Sequence, residues 1–147
     1  MKKISILIPC YNEEENVGTI NEAVVETLER DLPEYDYELV FIDNDSTDQT
    51  RPILRKICSE NPRIKAIFNA KNFGQFNSPY YGMLQCTGDC VISMVADFQD
   101  PVDMIPKYVH EWENGYNQDG KQGKPDHVCA EELLLQDDKE TLRCRAD

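Results

Sequence analysis

Short apolar stretches alternate with helical patterns four times along the chain, and this alternation limits the possible folds more than any other feature. The apolar stretches, rich in β-branched residues, lie at residues 3–9, 37–42, 64–68 and 90–96. Between and after them, apolar residues recur three and four apart, which is typical of helices with one buried face, at residues 17–28, 53–58, 79–86 and 105–112. The 147 residues make about one domain. The alternation predicts an α/β fold, a mainly parallel Rossmann-like sheet with helices on both faces.

Polar and acidic residues follow three of the predicted strands, at residues 11–13, 43–48 and 97–100. Ligands of parallel sheets bind beyond the carboxyl ends of the strands, so these clusters are expected to share one crevice. Each cluster also has a plainer interpretation, as turn and helix-cap residues or as the start of the last helix at Pro101. Three such clusters at one edge favour a binding site. Glycines at residues 74, 82 and 88 could let the backbone approach a ligand there.

The charge balance restricts the partners of the chain. Asp and Glu total 28 against 15 Lys and Arg, giving a net charge of −13. The sequence has no cluster of positive charge of the kind that binds nucleic acid. A nucleotide diphosphate would be repelled unless a divalent cation, Mg or Mn, accompanied it. No glycine-rich phosphate loop occurs in the sequence. Six cysteines and two histidines show no zinc-site spacing, so reduced thiols are expected.

Five segments together resemble the family 2 glycosyltransferases of the GT-A fold, in the order and spacing of that family. They are residues 4–17 (ISILIPCYNEEENV), 39–50 (LVFIDNDSTDQT), 72–75 (NFGQ), 87–89 (TGD) and 96–101 (ADFQDP). Within the family they are most similar to polyprenyl-phosphate sugar transferases, such as dolichol-phosphate mannose synthase and the undecaprenyl-phosphate glycosyltransferases. The resemblance implies transfer of a sugar from a nucleotide-diphosphate donor to an acceptor, expected to be a polyprenyl phosphate, by inverting, metal-assisted displacement.

The resemblance also implies donor-binding positions. Pro9, Tyr11 and Glu13 match the first-strand segment that lies against the nucleobase and ribose. Asp43 matches the acidic residue that contacts the base, and Asn44 stands where a second Asp is common. No catalytic residue is assigned, because a lipid phosphate is already anionic and can attack the sugar without a general base.

A metal site is implied around the last cluster. Asp97 matches the later Asp of the D-x-D metal motif, and Gln99 matches an additional metal-site residue. Val95 occupies the position of the first Asp, so the site has one carboxylate fewer and relies on Gln99 and the donor diphosphate. Lys71, a further donor-binding position, stands where Arg is frequent and keeps the charge without the bidentate fork. Asp100 receives no role.

The resemblance covers residues 1–116 as an incomplete donor-binding domain, and residues 117–147 do not continue it. A frameshift near codon 117 is one hypothesis for this tail, which is expected to be poorly ordered; the coding DNA tests it. Because the acceptor-binding part of the family is missing, the alternative function is a non-catalytic nucleotide-sugar-binding fragment. No apolar run reaches the ~20 residues of a membrane span, and the prediction is a cytoplasmic chain that can work at the inner face of the membrane.

Overall fold

The computed structural model describes residues 1–118, in which strands and helices alternate as the sequence predicts. The predicted tail lies almost entirely outside the described residues. In chain order the elements are β1 (Lys3–Cys10), α1 (Val17–Asp31), β2 (Asp36–Asp43), α2 (Thr50–Glu60), β3 (Ile64–Phe68), α3 (Gly74–Gln85), β4 (Cys90–Ser93), a 3₁₀ turn (Val102–Met104) and α4 (Ile105–Gln118). Within residues 1–118, no helix is long and apolar enough to span a membrane.

All strands of the described sheet are parallel, in the order β3-β2-β1-β4. The chain moves outward from β1 to β3 and then crosses to the other side of β1 to form β4. The strand order therefore reverses between β1 and β4, and a crevice opens at the carboxyl ends of an α/β sheet at such a reversal. The register places Cys10 beside Asp43 at the end of β1 and β2.

The two faces of the sheet are covered unequally. Side chains of β1 and β2 are buried along almost their whole length, which explains why both strands read as continuous apolar runs. One face packs against α1, α2 and α4, whose buried residues include Leu54 and Trp112. The other face, built from Leu7, Val40 and Ile42, is joined by Met83 of α3. The predicted α/β class with helices on both faces is confirmed.

The third helix differs most from its prediction. The sequence predicts a loop as far as residue 77 and a helix from about residue 79, yet α3 begins at Gly74. Gly74 has φ +87, which a residue with a side chain rarely adopts, and it turns the chain into the helix. Pro79 therefore lies inside the helix rather than at its start. Contacts of the preceding loop with β2, described below, outweigh the local signal of the proline.

Two smaller features of the fold bear on the crevice. Tyr80 and Tyr81 lie on α3 and are 64% and 51% exposed. The fourth strand ends at Ser93 rather than Ala96, because the backbone N–H of Val95 leaves the sheet and donates to Asp100 Oδ2 at 3.2 Å. That bond gives Asp100 the structural role that the sequence left open.

The segment from Thr87 to Asp89 fastens β4 to the amino end of β1. The N–H of Gly88 donates to Ser5 Oγ at 2.8 Å, and the N–H of Lys3 donates to Asp89 Oδ2 at 2.8 Å. A Cβ on Gly88 would lie 2.6 Å from Ser5 Oγ, and one on Gly82 would lie 2.7 Å from a methyl carbon of Leu7. Both glycines therefore serve packing. The expectation that they admit a ligand is wrong, and only Gly74 borders the crevice.

A buried carboxylate, Glu38, lies next to this fastening. It is 1% exposed and accepts hydrogen bonds from Ser5 Oγ, from the N–H of Thr87 and from Lys65 Nζ, at 2.6 Å each. Lys3 Nζ lies 3.2 Å away. Burial alone would raise the pKa of Glu38, but the hydrogen bonds, led by Lys65, lower it from 4.5 to about 2. This charged cluster belongs to the amino ends of the strands, opposite the crevice.

Candidate functional site

A crevice of about 730 Å³ lies beyond the carboxyl ends of β1, β2 and β4 and beside α3. Its volume falls within the range of about 300–1,000 Å³ that small-molecule sites occupy. The first strand and its loop contribute Pro9, Cys10, Tyr11 and Glu13, and the loop directly after β2 contributes Asn44. The remaining lining comes from the β4 loop and from α3 with its preceding loop, namely Asn72, Gly74, Gln75, Phe76, Ser78, Pro79, Tyr80, Met83, Ser93, Val95, Ala96 and Asp97.

The crevice gathers most of the predicted site residues. Five of them line it: Pro9, Tyr11, Glu13, Asn44 and Asp97. The polar clusters after β1, β2 and β4 thus meet at one place, as the parallel topology requires. Asp43, Lys71 and Gln99 do not line the crevice, and their positions need separate description.

Asp43 is fully buried at the end of β2. It precedes Asn44 in the chain and pairs with Cys10, and both of these neighbours line the crevice. Asp43 Oδ2 accepts hydrogen bonds from Arg51 Nε at 2.5 Å and from the N–H of Ser46 at 3.2 Å. The carboxylate therefore lies behind the crevice wall. It is held there by Arg51 and Ser46, which follow it in the chain.

Arg51 is the main residue that the sequence analysis missed. It lies in the first turn of α2, where a positive charge opposes the helix dipole. Its Nη2 donates to the carbonyl oxygen of Asn69 at 2.5 Å and lies 3.4 Å from Asp45 Oδ1. The sequence did contain one signal for the pair of Asp43 and Arg51: an arginine at the start of a helix, eight residues after an Asp that ends a strand.

Asn44 connects β2 to the loop before α3. Its Nδ2 donates to Asn72 Oδ1 at 3.0 Å and to the carbonyl oxygen of Gly74 at 3.3 Å. Its Oδ1 accepts from the N–H of Phe73 at 2.9 Å and from Asn69 Nδ2 at 3.2 Å. An aspartate could accept but not donate, so this network accounts for an amide where the resemblance leads one to expect a carboxylate.

The loops after β1 and β2 are also joined to each other. The N–H of Asn12 donates to Ser46 Oγ at 2.8 Å, and Asn12 Oδ1 accepts from the N–H of Thr47 at 2.9 Å. Asp48 accepts from the N–H of Glu14 at 3.2 Å and from the N–H of Thr50, the first residue of α2, at 2.9 Å. Asp48 therefore has a turn role before α2, alongside the crevice position of Asn44.

Three residues around the crevice have left-handed backbone conformations: Asn12 (φ 53), Asp45 (φ 68) and Phe98 (φ 60). They directly follow Tyr11, Asn44 and Asp97, which all line the crevice. Such conformations are uncommon outside glycine and cost on the order of 1–3 kcal/mol each. All three lie at the edge of the crevice, and Phe98 is the most strained of them, because Asn and Asp adopt this conformation more readily.

Cys10 lines the same crevice, but its thiol is unreactive. Burial, followed by the nearby carboxylates of Asp43, Glu13 and Asp48, raises its pKa far above the ordinary value. Its Sγ donates to the carbonyl oxygen of Ile42 at 3.6 Å. Cys10 is thus a protonated packing residue, and neither it nor Cys58 forms a disulfide within the described residues.

The donor set suits a divalent cation only with help from a ligand. Asp97 is exposed on the crevice, and its Oδ1 accepts from the N–H of Gln99 at 3.3 Å. Within residues 1–118, no cluster of three or more His, Cys, Asp or Glu side chains could hold a metal ion. Magnesium is commonly bound by one or two carboxylates together with substrate phosphates. The residues present therefore fit a cation that arrives with a diphosphate rather than a preformed metal site.

Aromatic residues of α3 form the open side of the crevice, and Lys71 directly precedes Asn72, which lines it. Lys71 is exposed, and its Nζ lies 5.3 Å from the centre of the Phe73 ring. Phe76 and Tyr80 line the crevice although they are 80% and 64% exposed. This side of the crevice is consequently open and apolar, whereas the side of Glu13 and Asp97 is acidic.

A parallel sheet with a strand reversal, a crevice at its carboxyl edge and an acidic loop after β4 fits the GT-A fold. The sequence model described as "Glycosyl transferase family 2" matches residues 5–127. The chain belongs to that family.

Relatives with established names include polyprenyl-phosphate sugar transferases. Bactoprenol glucosyl transferase of Shigella phage SfX is 34% identical over 113 residues, which are 77% of this chain and 36% of the relative. Undecaprenyl-phosphate 4-deoxy-4-formamido-L-arabinose transferase of Photorhabdus laumondii is 36% identical over 119 residues, which are 80% of this chain and 36% of the relative. The chain thus spans little more than a third of the length of these relatives.

Solved structures share the fold. The crystal structure of residues 1–349 of S. aureus TarS has a TM-score of 0.62 and 22% identity, and the match covers 84% of this chain and 38% of that fragment. The mannosyltransferase PcManGT of Pyrobaculum calidifontis, solved with GDP-Man and Mn²⁺, has a TM-score of 0.58 and 22% identity, over 74% of this chain and 31% of that protein. The predicted GT-A fold and family are confirmed.

Proposed function

We propose that this chain is the donor-binding part of an inverting glycosyltransferase that moves a sugar from a nucleotide-diphosphate donor to a polyprenyl phosphate. The observation that carries the proposal is the single crevice that joins Tyr11, Asn44 and Asp97 at the strand reversal. The names of the bactoprenol and undecaprenyl-phosphate relatives support the acceptor class. TarS and PcManGT have been solved with UDP-GlcNAc and with GDP-Man and Mn²⁺, which supports a nucleotide-sugar donor.

The roles of the residues follow from their surroundings. Pro9, Tyr11 and Glu13 are proposed to lie along the base and ribose, because they form the β1 side of the crevice. Asn44 holds the loop before α3 in place through its four hydrogen bonds. Lys71, exposed directly before Asn72 of the crevice wall, offers a positive charge to a phosphate of the donor.

Asp97, with Gln99, would hold a Mg or Mn ion that arrives with the donor. When bound, such an ion neutralises the diphosphate and stabilises the charge that develops on it as a leaving group. One carboxylate is a weak ligand set, so the donor and the ion are expected to bind together. Phe98, between the two residues, has a left-handed backbone conformation (φ 60).

The chemistry requires little from the protein beyond positioning. An acceptor phosphate oxygen is already anionic at neutral pH, so the chain needs no general base to activate it. Attack on the anomeric carbon from the face opposite the diphosphate forms one bond as another breaks, and this inverts the configuration. Orientation of the two reactants in the crevice is then the main contribution to catalysis.

The second candidate is a fragment that binds the donor without transferring the sugar. It is favoured by one observation, namely that the chain spans only 36% of the length of its relatives. Transfer of a labelled sugar from UDP-glucose or GDP-mannose to undecaprenyl phosphate in detergent, measured next to binding of UDP and GDP, separates the two. Binding with transfer supports the enzyme, binding alone supports the fragment, and the absence of both would contradict the proposal.

A further inference from the structure

The third helix turns small residues towards the sheet. Ser78 and Gly82 are its buried residues, and a Cβ on Gly82 would lie 2.7 Å from a methyl carbon of Leu7. The helix therefore lies close against the sheet at these positions. A helix that packs on one side normally carries polar and charged residues on the other side, and α3 departs from this rule.

The outward side of α3 is apolar. Phe73, Phe76, Tyr80 and Leu84 follow one another at intervals of three, four and four residues, which places them along one side of the helix. Each of them is at least 44% exposed, and the helix contains no charged residue. These four residues form the outer stripe of α3. Single exposed apolar residues are ordinary, whereas a continuous row of large ones marks an interaction site.

The outer stripe begins at the crevice and leads away from it. Phe76 and Tyr80 belong to both, and Phe73 directly precedes Gly74, which also lines the crevice. Leu84 lies one turn beyond Tyr80 and outside the crevice lining. An apolar chain that leaves the crevice on this side therefore meets apolar surface for about 16 Å, given a rise of 1.5 Å per residue.

Charge and size decide what kind of molecule fits this stripe. Helices that lie in a bilayer surface carry Lys and Arg beside their apolar face, whereas α3 has neither and the chain has a net charge of −13. A stable interface between two copies buries about 800 Å² on each partner, which is more than four side chains in a row provide. A single hydrocarbon chain matches both the width of the stripe and its continuity with the crevice.

We infer that the outer stripe of α3 binds the hydrocarbon chain of the polyprenyl phosphate acceptor while the phosphate lies in the crevice. This rests on the proposed function and deepens it, because it names the path by which the acceptor's chain leaves the site. The first isoprene units contact Phe76 and Tyr80, and the following units reach Leu84. The stripe thereby favours long isoprenoid chains over short ones.

The test is calorimetric titration of the purified full chain with dimethylallyl, geranyl and farnesyl phosphate, each below the concentration at which it forms micelles. The affinity of the wild type should rise roughly tenfold or more from dimethylallyl to farnesyl phosphate, because each added isoprene unit buries apolar surface. The double variant Phe73→Ser, Leu84→Ser should reduce this rise to about threefold or less. Its affinity for dimethylallyl phosphate should equal that of the wild type, since neither residue lines the crevice.

Tyr81→Ser is the matched control. Tyr81 is 51% exposed on the same helix, but it lies about 100° around the helix axis from Tyr80 and so off the stripe. The variant removes a large aromatic side chain and should keep the chain-length preference of the wild type. Thermal unfolding reports whether each variant is folded. If the double variant does not fold, Leu84→Ser replaces it, and the affinities for geranyl and farnesyl phosphate are compared.

The outcomes separate the stripe from the proposed function. A wild type that binds neither UDP nor GDP in the presence of Mn²⁺ overturns the proposed function, and the acceptor role of the stripe with it. A wild type that binds nucleotide but shows no preference for longer chains overturns the role of the stripe alone. A folded double variant that keeps the full preference does the same.

Two further measurements test the other occupants of the stripe. Binding to vesicles of phosphatidylcholine and phosphatidylglycerol without polyprenyl phosphate, if the double variant loses it, assigns the stripe to a bilayer surface and contradicts the inference. Self-association that the double variant loses, with an unchanged chain-length preference, assigns the stripe to a second copy and contradicts it as well. Loss of the chain-length preference alone supports the inference.

Discussion

Asn44 Nδ2 donates a hydrogen bond to Asn72 Oδ1 at 3.0 Å, and this contact joins the end of β2 to the loop that leads into α3. The two residues are far apart in the sequence, and the bond brings two sides of the crevice into a fixed relation. The same amide donates to Gly74 and accepts from Phe73, so all of its polar atoms are used. The shape of the crevice depends on an amide at this position.

Asn44→Asp is expected to destabilise the protein, although the two side chains have nearly the same shape. The variant loses both donors and places a charged oxygen against the oxygens of Asn72 and Gly74, at a cost on the order of 1–3 kcal/mol. Thermal unfolding of the wild type and of Asn44→Asp measures this loss of stability. Asn114→Asp, which adds the same charge at an exposed position on α4, is the control and should change little. Equal stability of Asn44→Asp and wild type would contradict the network.

The stability of the protein is expected to fall at low pH through Glu38. Its pKa is about 2 in the folded state and ordinarily 4.5, so the folded state favours the charged form. The resulting stabilisation is complete above pH 4.5 and is lost as the pH falls towards 2; it amounts to on the order of 3 kcal/mol. Urea unfolding at a series of pH values measures this loss.

Glu38→Gln should remove most of that pH dependence and leave the protein less stable at pH 7. Glu60→Gln serves as the control, because Glu60 forms an exposed pair with Lys56 at 3.9 Å, and exposed pairs contribute little. A wild type whose stability changes between pH 4.5 and 2 no more than that of Glu38→Gln would show that Glu38 is not the cause.

Gly88→Ala is expected to destabilise the fold by about 1–3 kcal/mol, because its methyl group would meet the backbone of Ser5 at 2.7 Å and the carbonyl oxygen of Lys3 at 2.9 Å. Gly18→Ala provides the comparison. Gly18 lies in α1 with nothing within 4 Å of the added atom, so alanine should be neutral or stabilising there. Chemical denaturation of both variants tests this pair. The packing role of Gly88 is wrong if the two substitutions have the same effect.

The outer face of α3 is expected to promote self-association at high protein concentration. Phe76 and Leu84 are 80% and 61% exposed there, and the helix has no charged residue along its whole length. The double variant Phe76→Ser, Leu84→Ser should lower the apparent mass that light scattering measures at high concentration. Glu111→Ser on α4, an exposed polar site, should not. A wild type that remains monomeric under these conditions would contradict the expectation.

The order of elements could be predicted because the central strands β1 and β2 are buried on both faces and so leave almost continuous apolar runs. The amino end of α3 could not, since Asn44 and Gly74 determine it through contacts that have no local pattern. Parallel topology also allowed Tyr11, Asn44 and Asp97 to be assigned to one crevice. The topology did not reveal that Arg51 holds Asp43 behind the crevice wall, because an arginine on a helix is normally interpreted as a surface charge. Gly88 was misinterpreted because a glycine beside an Asp suggests a ligand turn, while its partner Ser5 is distant in sequence.

The central claim is that one crevice binds a nucleotide diphosphate, and amide chemical-shift mapping by NMR tests it most directly. On addition of UDP or GDP with Mg²⁺, the account predicts that the amides of Tyr11, Asn44 and Asp97 shift together with a common binding curve. Signals of the shallow groove between α1 and α2, lined by Asn21 and Ile57, should stay in place. Shifts confined to that groove, or no shifts with either nucleotide, would contradict the account.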